Sequence, residues 1–304
     1  FGFRPGRSAH QAIQQAQKYV CSGLRYVVDL DLEKFFDRVN HDILMGLLAQ
    51  RISDKNALRL VRRYLNSGVL EDGLVRPTDE GTPQGGPLSP LLSNVMLDVL
   101  DKELEKRGHH FVRYADDCNI YVTSKRAGER VMENVTRFLK RKLKLSVNEE
   151  KSAVDNPVRR KFLGFSFSVS GDKRRIAPQS ITRMKKKVRE ITCKTKGMSL
   201  TEVIARLARY LIGWRGYFGF CETPSVLKGL DAWIRRRLRR YVWIQLKQGS
   251  ARFAELRKLG VGKDLAAQTA GSPHGAWRLS NSPALSIAIS NSYLRDLGLP
   301  SLVS

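Results

Sequence analysis

Basic residues crowd into one stretch of this chain. Residues 159–247 carry 23 Lys or Arg and only 5 Asp or Glu. Residues 1–158 carry 25 and 21, and residues 248–304 carry 6 and 3. Like charges at that density cannot be buried; they must spread over solvated faces or meet a polyanion. The stretch is therefore read as a surface-rich module joined to a nearly balanced first half, with a boundary near residues 168–180. The net charge of +25 over 304 residues points to nucleic acid, with an anionic membrane as the competing partner. No apolar run reaches the roughly 18 residues a membrane span needs. Cys21, Cys118, Cys193 and Cys221 lie far apart with no C-x-x-C. That spacing argues against a zinc ribbon and a disulfide framework, and for reduced thiols in a cytoplasmic protein.

The first half alternates strands and helices. Ser8 followed by Gln11 is a capping box opening a helix to about Cys21. Tyr26–Leu32 reads as a strand with carboxylates at alternate positions. Ile43, Leu44, Leu47 and Leu48 repeat at helical spacing, and a second helix is expected around 57–65. Ser89 is expected as an N-cap, with Pro90 at the first helical position. From there Leu92, Val95, Met96, Val99, Leu100 and Leu104 form an apolar stripe. Phe111–Ala115 and Cys118–Val122 read as strands meeting at an Asp116-Asp117 tip. A helix over about 127–143 and a strand over 162–169 follow. The second half reads as three basic amphipathic helices near 179–195, 200–219 and 225–247. Their interleaved aromatics, among them Trp214, Trp233, Tyr241 and Trp243, are mostly core.

Two acidic motifs stand out against this apolar background. Adjacent carboxylates at Asp116-Asp117 repel each other and resist desolvation. Asp29 and Asp31 share one side of their strand, and pairing that strand with the hairpin would bring one of them to Asp116. Convergent carboxylates suit a hard divalent cation such as Mg²⁺. Two such ions clamp both oxygens of an in-line phosphoryl displacement. Between the acidic motifs, Gly81-Thr82-Pro83-Gln84-Gly85-Gly86 lets backbone approach a ligand and leads into a helix N-terminus. Together these features suggest polymerisation or cleavage of nucleic acid.

Six blocks then carry a family resemblance: residues 1–10 (FGFRPGRSAH), 29–37 (DLDLEKFFD), 82–90 (TPQGGPLSP), 113–117 (RYADD), 148–151 (NEEK) and 162–165 (FLGF). With LIGWRGYF at 211–218, the chain resembles bacterial group II intron reverse transcriptases, also called maturases. The resemblance implies an α+β fold: a right-hand polymerase palm and fingers, an antiparallel sheet with packed helices, followed by an α-helical thumb. Residues 1–175 would be fingers and palm, with the family's N-terminal fingers segment missing. Residues 176–265 would be the thumb or maturase-specific domain, and 266–304 a short DNA-binding or intron-contacting segment. The scarcity of His and Cys after residue 221 marks the type lacking an endonuclease domain.

The same resemblance implies roles for particular residues. Asp31, Asp116 and Asp117 match the catalytic carboxylates and would hold two Mg²⁺ ions, with a contact from the Leu32 carbonyl. Asp29 and Asp37 are structural in this reading. Phe36 stands where an aromatic ring blocks a ribose 2′-OH. Pro83, Gln84 and Gly85 resemble the loop against the incoming nucleotide and template, and Lys151 would serve the pyrophosphate leaving group. Phe162, Leu163 and Gly164 resemble the turn that supports the primer terminus. Arg174, Arg175, Lys185, Lys186, Lys187, Arg235, Arg236 and Arg237 are the expected phosphate contacts.

The implied activity is RNA-directed DNA polymerisation, joined to binding of the chain's own intron RNA in splicing and mobility. Partners would be group II intron RNA, an RNA template with DNA primer, deoxynucleoside triphosphates and target DNA, with no membrane. Two readings compete with it. One is a non-catalytic splicing cofactor that binds RNA; the other is a related retron or defence-type reverse transcriptase.

Overall fold

In the computed structural model, the described residues are 1–66, 69–71, 74–76, 81–82, 86–193 and 197–303. They form two units, Phe1–Arg174 and Arg175–Ser304. In the first, α1 (Ala9–Cys21) opens with the capping box that Ser8 and Gln11 promised: the Ser8 hydroxyl accepts from the Gln11 N–H, and the Gln11 side chain accepts from the Ser8 N–H. Then come β1 (Tyr26–Leu30), a 3-10 turn at Phe35–Asp37, α2 (His41–Ala49), α3 (Lys55–Asn66), β2 (Val69–Glu71), β3 (Leu74–Arg76) and α4 (Ser89–Lys106). A hairpin of β4 (His110–Tyr114) and β5 (Asp117–Val122) leads to α5 (Lys125–Lys142), β6 (Ala153–Asp155) and β7 (Phe165–Phe167); β8 (Arg174–Ile176) begins at the last residue of this unit and runs into the second.

The central sheet has the order β4-β5-β1-β6, with every pairing antiparallel. Val28, Leu30, Cys118, Ile120 and Val122 are buried from it. They join a core with Leu44 and Leu48 of α2, Leu92, Met96, Leu100 and Leu104 of α4, and Val131, Val135 and Leu139 of α5. Gly128 lets α5 approach the sheet closely, because a Cβ there would clash with the Val154 side chain. The α4 stripe is thus core, although Val95 and Val99 are only partly covered.

Several boundaries differ from the sequence expectation. Strand β1 stops at Leu30 rather than Leu32, because the backbone of Asp31 turns to the segment after α5. The Asp31 N–H donates to Ser152 Oγ at 2.9 Å, and its carbonyl accepts from the Asn148 N–H at 2.8 Å. Asp117 begins β5 instead of sitting in the turn, which is only Ala115 and Asp116. Leu88, not Ser89, is the N-cap of α4, so Pro90 is the second helical residue; Ser89 is drawn inside, its hydroxyl 3.4 Å from that of Tyr64. The expected strand over 162–169 shortens to Phe165–Phe167. Phe162 instead closes a two-residue turn with Phe165, in which Leu163 and Gly164 both take positive φ, 49° and 81°. That is the backbone a tight hairpin turn requires.

The second unit is helical. Its long helices are α6 (Pro178–Ile191), α7 (Leu200–Phe218) and α8 (Pro224–Gln245), close to the three expected spans. Shorter ones follow: α9 (Gly249–Lys258), α10 (Lys263–Ala270), α11 (Ala276–Leu279), α12 (Pro283–Ala288) and α13 (Asn291–Asp296). Trp214, Tyr241 and Trp243 are buried in one core that also includes Leu285, Ile289, Leu294 and Leu302. Among the described residues no helix is long and apolar enough to cross a membrane.

Candidate active site

The register of β1 against β5 brings the two acidic motifs together. Leu30 pairs with Cys118, so Asp31 and Asp117 leave the paired strands side by side at the same end. Asp116 occupies the two-residue loop next to them, preceded by Ala115 at φ 55°. A left-handed alanine is disfavoured and needs external support. Buried Arg113 supplies it: one guanidinium nitrogen donates to the Ala115 carbonyl at 2.7 Å and to Asn94 Oδ1 at 3.1 Å. The other two nitrogens grip Asp101 of α4 at 2.7 and 2.6 Å. Sequence reasoning missed Arg113, although a charged residue inside an apolar strand was the available signal.

Asp31 is braced from its other side. Glu33 N–H donates to the Ser146 carbonyl, and Asn148 N–H to the Asp31 carbonyl. Asn148 Oδ1 accepts from the Glu150 and Lys151 N–H groups. The resulting turn carries Lys151 Nζ to 3.6 Å from Asp31 Oδ2. Asn148 and Ser152 are thus the residues that hold Asp31 and Lys151 in place.

Asp29 is paired, whereas among the described residues Asp116 and Asp117 form no ion pair. Arg160 reaches Asp29 Oδ2 with two nitrogens, at 2.8 and 2.6 Å. Turned with its nitrogen toward Asp29, the Asn119 amide donates to Oδ1 at 2.9 Å. Burial still raises the Asp29 carboxyl above its ordinary range, against the pull of Arg160. Asp117 is open to solvent on one side. Desolvation of its inner side, and then the charges of Asp116, Asp29 and Asp31, push its carboxyl up to about 6, with Lys161 opposing.

This excess of carboxylate charge fits a hard divalent cation, which takes oxygen ligands and relieves such repulsion. Among the described residues, no three metal-ligating side chains are already drawn into a ligand set. The donors come from adjacent backbone positions and are chemically suited to such an ion.

The remaining expected residues divide between the two units. Phe36 lies half-buried in the 3-10 turn, edge-on to buried Phe35 at 5.3 Å between ring centres. Its carbonyl accepts from the Thr82 N–H at 2.5 Å, and a Cβ on Gly81 (φ 96°) would clash with the carbonyls of Phe36 and Asp37 at 2.9 Å. Pro83, Gln84 and Gly85 lie outside the described residues. Phe162 is buried, with Leu163 and Gly164 at intermediate exposure in the turn.

Of the expected phosphate contacts, Arg174 donates to Gln17 Oε1 and Lys187 pairs with Glu190. Arg175 and Lys186 are exposed. Lys185 and Arg237 flank the Trp233 ring at 5.5 and 5.7 Å, and Arg237 also donates to Thr192 Oγ1. Arg236 lies 4.0 Å over the Trp277 ring and donates to the Trp277 carbonyl. Arg235 is half-buried beside a groove shared with Arg239, Asn281 and Asn291.

Comparison with known proteins follows the same division. A family profile for reverse transcriptase (RNA-dependent DNA polymerase) matches residues 1–167, and one for the group II intron maturase-specific domain matches 181–260. Protein YkfC of Escherichia coli strain K12 is 32% identical over 51% of this chain and 50% of its own length. Group II intron-encoded protein LtrA of Lactococcus lactis subsp. cremoris is 29% identical over 55% of this chain and 39% of its own. The alignments thus span half or less of these curated relatives. The solved apo telomerase from Candida tropicalis aligns with 97% of this chain and 57% of its own at 14% identity, TM-score 0.47. With the polymerase profile covering more than half of its length and the maturase profile following in order, this chain belongs to the reverse transcriptase family, in its group II intron branch.

Proposed function

We propose that this chain is the RNA-directed DNA polymerase of a group II intron, and that it also binds its intron RNA in splicing and mobility. Reverse transcriptases as a family use divalent metal ions. The finer reading is two Mg²⁺ ions held by Asp31, Asp116 and Asp117 with the Leu32 carbonyl. One observation carries it: antiparallel register sets Asp31 beside Asp117 and next to Asp116, and the Asp117 carboxyl is pushed up despite Lys151 near Asp31 and Lys161 nearby. When bound, the ions would favour ionisation of a primer 3′-OH and neutralise charge on the triphosphate.

The protein's own residues supply the rest. Arg113 and Asp101 hold the Asp116 turn in shape. Lys151, paired with Asp31 before substrate arrives, would turn to the pyrophosphate and hand it the Nζ proton as it leaves. Phe36 would close the sugar site against a 2′-OH; Pro83, Gln84 and Gly85 would contact the incoming nucleotide and template strand. The turn Phe162, Leu163 and Gly164 would support the primer terminus. Residues 1–175 are read as fingers and palm, 176–265 as thumb and maturase domain, and 266–304 as a segment contacting DNA or intron RNA. The exposed cations Arg175 and Lys186 would meet phosphates, and free thiols at the four cysteines suit a reducing cytoplasm.

The test is primer extension on an RNA template. Asp116→Ala should abolish extension while leaving RNA affinity within about twofold, because phosphate contacts rather than the carboxylates supply binding. Extension retained at the wild-type rate overturns the assignment. If the unaltered chain binds intron RNA tightly yet extends no primer, a splicing cofactor without polymerisation is the better reading.

A further inference from the structure

Three parts of the proposed site come from distant sequence: strand β1 ahead of Asp31, the Asn148–Ser152 turn that carries Lys151, and the tight turn at Phe162–Phe165. One side chain connects them. Arg160 stands two residues before Phe162 and grips Asp29 Oδ2 through Nε at 2.8 Å and a terminal nitrogen at 2.6 Å. That same terminal nitrogen donates to the Lys151 carbonyl at 2.6 Å. Asp29 is a rigid anchor. It lies inside β1, paired on one side with Asn119 of β5 and on the other with Ala153 of β6.

We infer that Arg160 is a positioning residue: clamped between Asp29 and the Lys151 carbonyl, it sets the primer-supporting turn and Lys151 in register with Asp31. This rests on the polymerase reading above. It gives Asp29 a role that needs no metal, since one of its oxygens is already occupied by a guanidinium. A guanidinium suits the task because its planar fork holds a carboxylate with two donors and a carbonyl with one; a lysine is a point charge without that geometry. The turn it steadies contains Leu163 at φ 49°, an unfavourable backbone for a branched residue that persists only where neighbours enforce it. Lys161, next in the chain, is carried by the same clamp into electrostatic reach of Asp29 and Asp117.

The clamp is partly buried, with side-chain exposures of 27% for Arg160 and 20% for Asp29, and its two residues lie outside the hydrophobic core. Steady-state primer extension on the full chain separates positioning from mere stability. Arg160→Ala should lower kcat about tenfold or more and raise KM for the deoxynucleotide, a loss larger than any fall in the thermal midpoint accounts for; ångström-scale misplacement has effects of this size. Arg160→Lys should recover only part of the loss. Asp29→Asn should shift the same parameters less, and Asp29→Asn with Arg160→Ala should be no worse than Arg160→Ala alone, since both break one clamp. The inference is overturned if Arg160→Ala keeps kcat and KM within twofold, if the two losses multiply, or if every variant loses activity only in proportion to thermal stability. Asp116→Ala tells the two levels apart: if it extends primers normally, the polymerase reading fails. If it is inactive while Arg160→Ala is normal, only the clamp fails.

Discussion

The two units employ their arginines in opposite ways. In the first, acids are plentiful and guanidiniums meet carboxylates: Arg113 with Asp101, Arg160 with Asp29, Arg51 with Asp98. In the second, acids are scarce, and arginines of α8 turn to carbonyls, hydroxyls and rings. Arg236 holds α11 through the Trp277 carbonyl, Arg237 holds the end of α6 through Thr192, and Arg239 donates to the Ile289 carbonyl between α12 and α13. A run of basic residues is therefore not simply a phosphate-binding face. Part of the RRRLRR sequence knits its own unit together, and the charges best placed for a polyanion include ones outside that run, such as Arg175 and Lys186.

This contrast can be broken by measurement. The largest expected effect is on Arg113. Arg113→Ala removes the buried partner of Asp101, leaving it Arg4 at 3.0 Å, and should cost about 3 kcal/mol by chemical denaturation. Arg236→Ala should cost only about 1 kcal/mol, the scale of a carbonyl hydrogen bond with a cation–π contact. Equal losses would erase the distinction. Next comes Asp231, a buried acid of the second unit. It accepts from the Ser301 hydroxyl and the Leu302 N–H, tying the chain's last residues to α8. Asp231→Ala should cost about 1–3 kcal/mol, the scale of buried polar groups left unpaired. A loss near zero would mean that apolar packing alone holds residues 301–303.

A smaller effect distinguishes the carboxylate cluster from the paired acids around it. The Asp117 carboxyl rises from 3.8 to about 6 in the fold, so the native chain takes up a proton that the unfolded chain releases. Its contribution to metal-free stability is greatest below about 4 and falls as pH climbs through 6. Asp117→Asn should flatten that part of the profile. A stability rising between pH 4 and 6 by the same amount in both proteins would contradict the raised Asp117 carboxyl. Smallest of all, Lys186→Ala should reduce the salt slope of RNA binding by less than about 1, whereas Arg237→Ala should leave it nearly unchanged. A larger change for Arg237 would restore the whole run to the phosphate face.

Much of this was legible in the sequence because it depended on local chemistry. The Ser8–Gln11 box is a short-range exchange of hydrogen bonds, and the α4 stripe is a simple period. The Asp116-Asp117 hairpin is marked by flanking apolar runs. What escaped depends on long-range partners. Nothing near residue 31 announces that Ser152 and Asn148 end its strand, and nothing near Arg113 announces Asp101. The helices beyond residue 248 were not foreseen either. They are short, and their apolar residues make sense only against one another and the shared helical core. The arginine run hid its partners for the same reason: positive charge is visible in one dimension, while the carbonyls and the hydroxyl it meets lie about 40 to 50 positions away.

Asp31 tests the central claim most directly, because it joins the carboxylate tip from a separate strand. Primer extension by Asp31→Ala, measured at matched occupancy of the RNA template and primer, should fall to background with RNA binding intact. Extension at the wild-type rate would contradict the account.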